Sequence, residues 1–379
     1  MASHLTRRQF VKGAASAAAL SLLASCTSRI PGLDPAGRTI TGANDLAAPP
    51  LLIDSLASDD LIIQADAARL LGDLGSRQAA AALVHYVRTD RHYAKTAGLD
   101  ALARIGDRSV CAELRPLVTE PNCYDDYWWY GRVSVQVAAA LALLSLSDET
   151  GLAFLTEPQE GNRDWALFTW FGPTVLRLPG RSAAVRQVKA RVTVESLLPQ
   201  GKSDPGQLVI ICDSLGLLGT ATAREKLIGL TAHGSRYVRA RSAGNLAAMS
   251  DRPEDLDRVT DLAGGDATEF VRIKASEALV LRGRGLRYAE TIARSAGSAA
   301  DPFDRAAALD SLGALARAEY AATAIAGLSD ADAYVRLAAA AALDRIGSRE
   351  AVAAVTGVRN DPSLRVRLQA VKCLATRGG

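Results

Sequence analysis

The chain has 379 residues, 44 Lys and Arg against 41 Asp and Glu, and only 5% aromatic side chains. A formal charge of +3 gives no electrostatic case for nucleic acid. The apolar half is mostly Ala and Leu, which favours helices, because those side chains lose little freedom there.

The N-terminal stretch "TRRQFVKGAASAAALSLLASC" reads as an address in three parts. Residues 6–12, with Arg7 and Arg8, resemble a twin-arginine export motif and depart from it at Val11. Residues 13–24 are a short alanine-rich segment, too short to span a bilayer and suited to a signal-peptide core. Leu23-Ala24-Ser25-Cys26 resembles a bacterial lipobox, which implies lipidation at Cys26 and a stable membrane anchor. Residues 1–26 are therefore expected to be a twin-arginine lipoprotein signal. The expected location is extracytoplasmic, on the periplasmic face or the cell surface. Residues 27–50, with prolines and glycines and no helical period, read as a flexible tether.

From residue 51 onward one motif recurs. The copies include "IIQADAARLLGDLG" (62–75), "YAKTAGLDALARIG" (93–106), "YVRARSAGNLAAMS" (237–250), "FVRIKASEALVLRG" (270–283), "FDRAAALDSLGALA" (303–316), "YVRLAAAAALDRIG" (334–347) and "RVRLQAVKCLATRG" (365–378). Leu occupies position 10 of each, and from Leu246 to Leu374 the spacings are 33, 33, 31 and 31 residues. Positions 2, 6, 10 and 13 are mostly apolar or small, which makes one stripe of a helix. A second helical segment precedes each copy. The polar turn between the two offers Asp as a cap, and Gly at position 14 suits a left-handed terminus. Neither helix can bury its stripe alone, so neighbours must stack. The expected fold is all-α, a right-handed solenoid of about ten helical pairs over residues 51–379, with the second helix of each pair on the concave side.

The 31-residue period, Val-Arg at positions 2 and 3 and the Leu-x-x-(Ile/Leu)-Gly end resemble short HEAT-like repeats of the phycobilisome-lyase type. That resemblance implies a protein-binding scaffold, with lyase-like catalysis reachable by analogy only. Arg at position 3 (Arg239, Arg272, Arg305, Arg336, Arg367) predicts a ladder to a turn Asp of the same or the adjacent repeat, with a basic stripe for an anionic ligand as the alternative. Gln64, Lys95 and Gln136 replace Arg in the first half.

The pattern breaks over about 119–205. Leu102 to Leu143 is 41 residues and Leu143 to Leu215 is 72. An enlarged turn is expected between a helix over 109–118 and one starting near Val133. In the next unit Pro173 is expected to end or kink a helix early. Ten of the chain's 19 aromatics and all four tryptophans fall here. Tyr124, Tyr127, Trp128, Trp129, Tyr130, Arg132, Trp165 and Trp170 form a candidate binding edge for a protein partner. A local plug over the irregular unit, or a sugar-stacking surface using Asp125, Asp126 and Arg132, are the other readings.

Motifs for chemistry are weak. The sequence contains no His-Glu-x-x-His and no Cys-x-x-Cys, and "GKSDPG" (201–206) lacks the upstream Gly of a phosphate loop. No catalytic residue, metal ligand or cofactor is assigned. Cys212 and Cys373 read as small core residues. Oxidation of Cys111 with Cys123 would pin the aromatic insertion to its helix. The functional expectation is a lipid-anchored scaffold or adaptor with a protein partner, and a glycan-binding or small-ligand lipoprotein is the alternative.

Overall fold

A computed structural model describes residues 49–377 apart from 90–94, 120–128, 157–161, 179, 181 and 199–203. The first five helices are α1 (Pro50–Asp54), α2 (Leu61–Leu74), α3 (Ala80–Thr89), α4 (Lys95–Ile105) and α5 (Cys111–Leu114). Next come α6 (Pro116–Thr119), α7 (Trp129–Ser145), α8 (Leu152–Thr156), α9 (Asn162–Arg177), α10 (Ala183–Ala190) and α11 (Val194–Leu197). The second half holds α12 (Pro205–Leu218), α13 (Ala221–Leu230), α14 (Arg236–Met249), α15 (Pro253–Gly265), α16 (Glu269–Leu281) and α17 (Leu286–Ser298). The chain then finishes with α18 (Pro302–Leu315), α19 (Ala321–Gly327), α20 (Ala333–Ile346), α21 (Arg349–Thr356) and α22 (Leu364–Arg377).

These helices make an all-α solenoid of ten pairs among the described residues. The repeated motif forms the inner row α2, α4, α7, α9, α12, α14, α16, α18, α20 and α22, each packed on the next. Outer helices alternate with them, and in two units the outer helix is split (α5 with α6, α10 with α11). Position-10 leucines carry the core: Leu71, Leu102, Leu143, Leu215, Leu246, Leu279, Leu312 and Leu343 are fully buried. Inner helices approach closely where the facing residue is small. A Cβ on Gly313 of α18 would meet the Ala342 Cα of α20 at 2.7 Å, well inside contact distance.

The inner row closes on itself. Helix α22 packs beside α2 as well as beside α20. Leu368 is fully buried in the same cluster as Leu52, Leu70 and Leu71, with Leu364 and Ala375 packed against it. Arg365 Nε meets Asp66 Oδ2 at 2.5 Å across this seam. An open array would leave the apolar flank of its last repeat in water and would need a polar cap. Here the first repeat covers the last.

Caps and turns follow the sequence. Asp60, Asp301 and Asp332 accept from the backbone N–H of Ile62, Phe303 and Tyr334 at 2.7–2.9 Å. Gly75, Gly106, Gly219, Gly283 and Gly347, all at position 14, have φ between 65° and 75°. Ser147 and Ala316 occupy the same position with φ of 63° and 51°, so the repeat's backbone is kept even where Gly is absent.

Three expectations about the irregular region need correction. Helix α7 begins at Trp129, four residues before the expected start, so the end of the enlarged turn is helical. The outer helix over 109–118 is interrupted at Arg115, just before Pro116. Pro173 does not end its helix, because α9 continues to Arg177. Tertiary packing holds that segment: Gly172 sits so close to Ser214 of α12 that a Cβ there would overlap the Ser214 Oγ.

Candidate binding surface

Alternation of outer and inner helices gives the ring two edges. Turns from outer to inner helix open on one, here called the turn edge. Links from inner to outer helix open on the other, the link edge.

The expected Arg ladder forms on the turn side and joins adjacent repeats. Arg239 grips Asp266 with two bonds of 2.8 and 2.9 Å, Arg305 grips Asp330 at 2.8 and 3.0 Å, and Arg336 grips Asp361 at 2.7 and 3.0 Å. In each case the Asp belongs to the turn of the next repeat. The remaining Nη1 donates to carbonyls of its own turn, such as His233 and Gly234 for Arg239. Planar, bidentate pairing of this kind is what guanidinium does best. The Arg239, Arg305 and Arg336 neighbours pull the carboxylates of Asp266, Asp330 and Asp361 below the usual range. Arg272 and Arg367 depart from this, and Arg367 donates to the carbonyls of Asp361 and Pro362 in its own turn. Ala299 stands where the Asp for Arg272 would be, so Arg272 turns back to Glu269 on its own helix. In the first half, Gln64 keeps only the own-turn bond, donating to Ser58 O at 2.6 Å.

The inner face carries a second polar network. Lys274 of α16 contacts Glu277 at 2.7 Å and Asp310 of α18 at 2.8 Å, and Arg345 of α20 meets Asp310 at 2.8 Å. Burial alone would lower the Lys274 pKa, but Asp310 and Glu277 outweigh it and hold the ammonium charged. Lys372 of α22 reaches Asp344 of α20 at 2.5 Å. Arg241 of α14 and Asp213 of α12 meet at 2.6 Å, with Asn245 donating to the same carboxylate at 2.9 Å. Burial pushes Asp213 up to about 7, opposed by the Asn245 hydrogen bond and Arg177, and pushes Arg241 down to about 10, opposed by Glu277 and Asp310. These charges are spent on neighbouring helices, which leaves them unavailable as a general anion stripe.

The structure describes the predicted aromatic edge in part. Tyr124, Tyr127 and Trp128 lie outside the described residues, as does Cys123 of the candidate disulfide. Trp129, Tyr130 and Arg132 fall in the first turn of α7, and Trp165 in the first turn of α9, with their side chains outside the description. Trp170 is half-buried. Phe168 is buried with the Arg191 guanidinium 5.5 Å from its ring centre, while Phe154 and Phe171 pack against the main core. Since α7 and α9 are packed inner neighbours, their first turns, with Trp129, Tyr130, Arg132 and Trp165, share the turn edge. Cys111, Cys212 and Cys373 are buried thiols, and burial raises the pKa of each.

A second aromatic group on this edge was missed as a group. Position 1 of four successive inner helices holds Tyr237, Phe270, Phe303 and Tyr334, with ring centres 5.3 to 6.1 Å apart. Arg236 lies over three of them, 5.0 Å from the centre of Tyr237, 5.7 Å from Phe270 and 4.9 Å from Phe303. The signal was present in the sequence, since the copies begin with Tyr or Phe. Only the ring's curvature brings α14 and α18 close enough for their rings to touch.

Asp304 follows at position 2, where Val238, Val271, Val335 and Val366 are all fully buried. It is 9% exposed, and its Oδ1 has no hydrogen-bond partner among the described residues. Burial and the neighbouring Asp301 and Glu269 raise its pKa, while Arg236 and Arg272 oppose them.

Residues 49–126 and 290–378 match the family model for HEAT repeats. Among solved structures, the chain is similar to the complex of CpcE and CpcF of phycocyanin lyase from Nostoc sp. PCC7120, at 20% identity over 71% of this chain and 88% of that one, with a TM-score of 0.33. It is also similar to an engineered protein at 17% identity (86% and 98% covered, TM-score 0.30). Human deoxyhypusine hydroxylase in complex with glycerol is 16% identical (97% and 98% covered, TM-score 0.28). No curated protein matches the chain.

Proposed function

We propose that this chain, with HEAT repeats in both halves, is a scaffold that binds another protein on its turn edge while a lipid on Cys26 holds it at an extracytoplasmic membrane face. The observation that carries the reading is the convergence of aromatics on one edge. Trp129 and Trp165 stand in the first turns of α7 and α9, Trp128 directly precedes α7 in sequence, and the row from Tyr237 to Tyr334 lies at the same ends of its inner helices. Tyr, Trp and Arg are the residue types that dominate binding energy at protein interfaces. The Arg–Asp ladder beneath them ties successive repeats, so the edge is held in shape before a partner arrives. Insertions in repeat proteins also tend to carry the binding face.

The test is a mild-detergent purification of tagged full-length protein from its native membranes, compared with a Trp128→Ala/Trp129→Ala variant that keeps its helical circular dichroism. A stoichiometric partner that accompanies the native chain and is lost from the variant supports the reading. The same partner in both samples would move the contact away from Trp128 and Trp129 and leave that turn as a local plug. Saturable polysaccharide binding that disappears in the variant would replace the protein partner with a glycan.

A further inference from the structure

The link edge has a chemistry of its own. Among the described residues, the large apolar side chains that stand exposed are Leu281, at 60%, and Leu217, at 43%. Both occupy position 12, at the C-terminal ends of inner helices α16 and α12. In other repeats the same position is filled by charges that pair across the inner face, as Asp73 does with Arg104 and Arg345 with Asp310. Leu281 opens the link "LRGRGLRY" (281–288), in which Gly283 and Gly285 have φ of 72° and 74°. Arg282, Arg284 and Arg287 of this link are exposed, and it contains no acid. Arg282 pairs with Asp251 of the adjacent link, whereas Arg284 and Arg287 make no ion pair among the described residues. Arg252 of that adjacent link is also exposed and pairs with Glu254 at 3.9 Å. Exposed acids stand on both edges, Asp251 and Glu254 on this one and Asp59, Asp60 and Asp301 on the turn edge.

Topology adds the second observation. Outer helices run from the link edge toward the turn edge, and α1 is the first of them, so Pro50 is at its link-side end. Pro49, the first described residue, stands at that end, and residues 27–48 separate it from Cys26 in sequence.

We propose that the link edge rests on an anionic bilayer. Leu281 and Leu217 enter the headgroup boundary, Arg284 and Arg287 pair with lipid phosphates, and the turn edge faces away. This rests on the lipid-anchored reading for its biological setting and on the two observations above for its geometry. An exposed leucine beside several arginines is the composition of an interfacial contact: the apolar group is withdrawn from water while the cations meet surface charge. An anchor leaving the same edge keeps that edge at high local concentration against the lipid. It also turns the aromatic edge toward the compartment in which a protein partner would be found.

The experiment uses the full chain with an N-terminal histidine tag held on nickel-chelating lipid, so orientation is read whether or not Cys26 is lipidated in the cell. With Cys26 and Cys123 changed to Ser, and the remaining thiols buried, an environment-sensitive fluorophore is placed at Leu281→Cys, Leu217→Cys or Asp59→Cys. On vesicles containing phosphatidylglycerol, the probes at 281 and 217 are expected to shift to the blue and be quenched by spin-labelled lipid several-fold more than the probe at 59. Arg284→Ser/Arg287→Ser, or vesicles of phosphatidylcholine alone, should reduce that difference at least two-fold. A probe at 281 that stays as water-exposed as the probe at 59 overturns the proposal and leaves an acidic protein as the occupant of this edge. Lipidation is read separately, by palmitate labelling of the native chain and of Cys26→Ser. Labelling that survives Cys26→Ser would sink the anchor at Cys26 while the orientation result stands.

Discussion

Asp304 shows how a repeat protein can be audited against itself. Its counterparts at position 2 are fully buried valines, and a buried polar atom without a partner costs about 1–3 kcal/mol. Burial raises the folded-state pKa, so the folded chain holds the proton more tightly than the unfolded chain does. The stabilisation from protonated Asp304 is therefore full below the unfolded carboxylate value of about 3.9 and is lost as pH rises through the higher folded-state value. Asp304→Val is expected to raise the melting temperature, and to raise it more at pH 8 than at pH 5. Equal melting temperatures for the two proteins at both pH values would refute this. The sequence showed the position and the odd residue. That its carboxylate lies among Asp301, Glu269, Arg236 and Arg272 came only from packing.

At the scale of elements, the ladder distinguishes a structural charge from a functional one. Arg336 is 15% exposed and binds an Asp361 that is 4% exposed, so truncating the Arg strands a buried carboxylate. Arg336→Met is expected to cost about 3 kcal/mol. Arg272→Met, at the rung where Ala299 replaces the Asp, should cost about 1 kcal/mol or less, because its Glu269 partner is better solvated. Urea denaturation of the two variants checks this, and equal losses would show that the rungs do not couple repeats. The regular spacing of Arg revealed this ladder in advance. What stayed hidden was whether each Arg pairs within its own repeat or with the next, since that depends on how one hairpin is set against another. The expected early end at Pro173 failed for a related reason: local preference opposes a helix there, and Gly172 packs closely on α12 while the helix continues to Arg177.

The whole molecule is organised by its seam. Helices α2 and α22 are separated by nearly the full chain, yet Leu368 is buried with Leu52 and Leu71, and Arg365 pairs with Asp66. Leu368→Ala is expected to cost about 2–5 kcal/mol. Its signature is regional: amide exchange should accelerate in residues 61–74, far away in sequence, as well as in α22. Faster exchange confined to 364–377 would mean that the ring is open in solution. Closure also bears on the proposals above, because a closed ring has two distinct edges that can face different surroundings.

Sequence alone determined the helical class, the repeat length, the ten-pair count, the leucine core and the left-handed turns at position 14. All of these are local or nearest-neighbour properties, written again in every copy. Tertiary structure decided which charges pair between repeats, how Arg236 comes to lie over three rings, and that α22 returns to α2. Those outcomes depend on small rotations between successive hairpins. Each rotation is set by which side chains interlock, and only their accumulation over ten units brings the last helix back to the first.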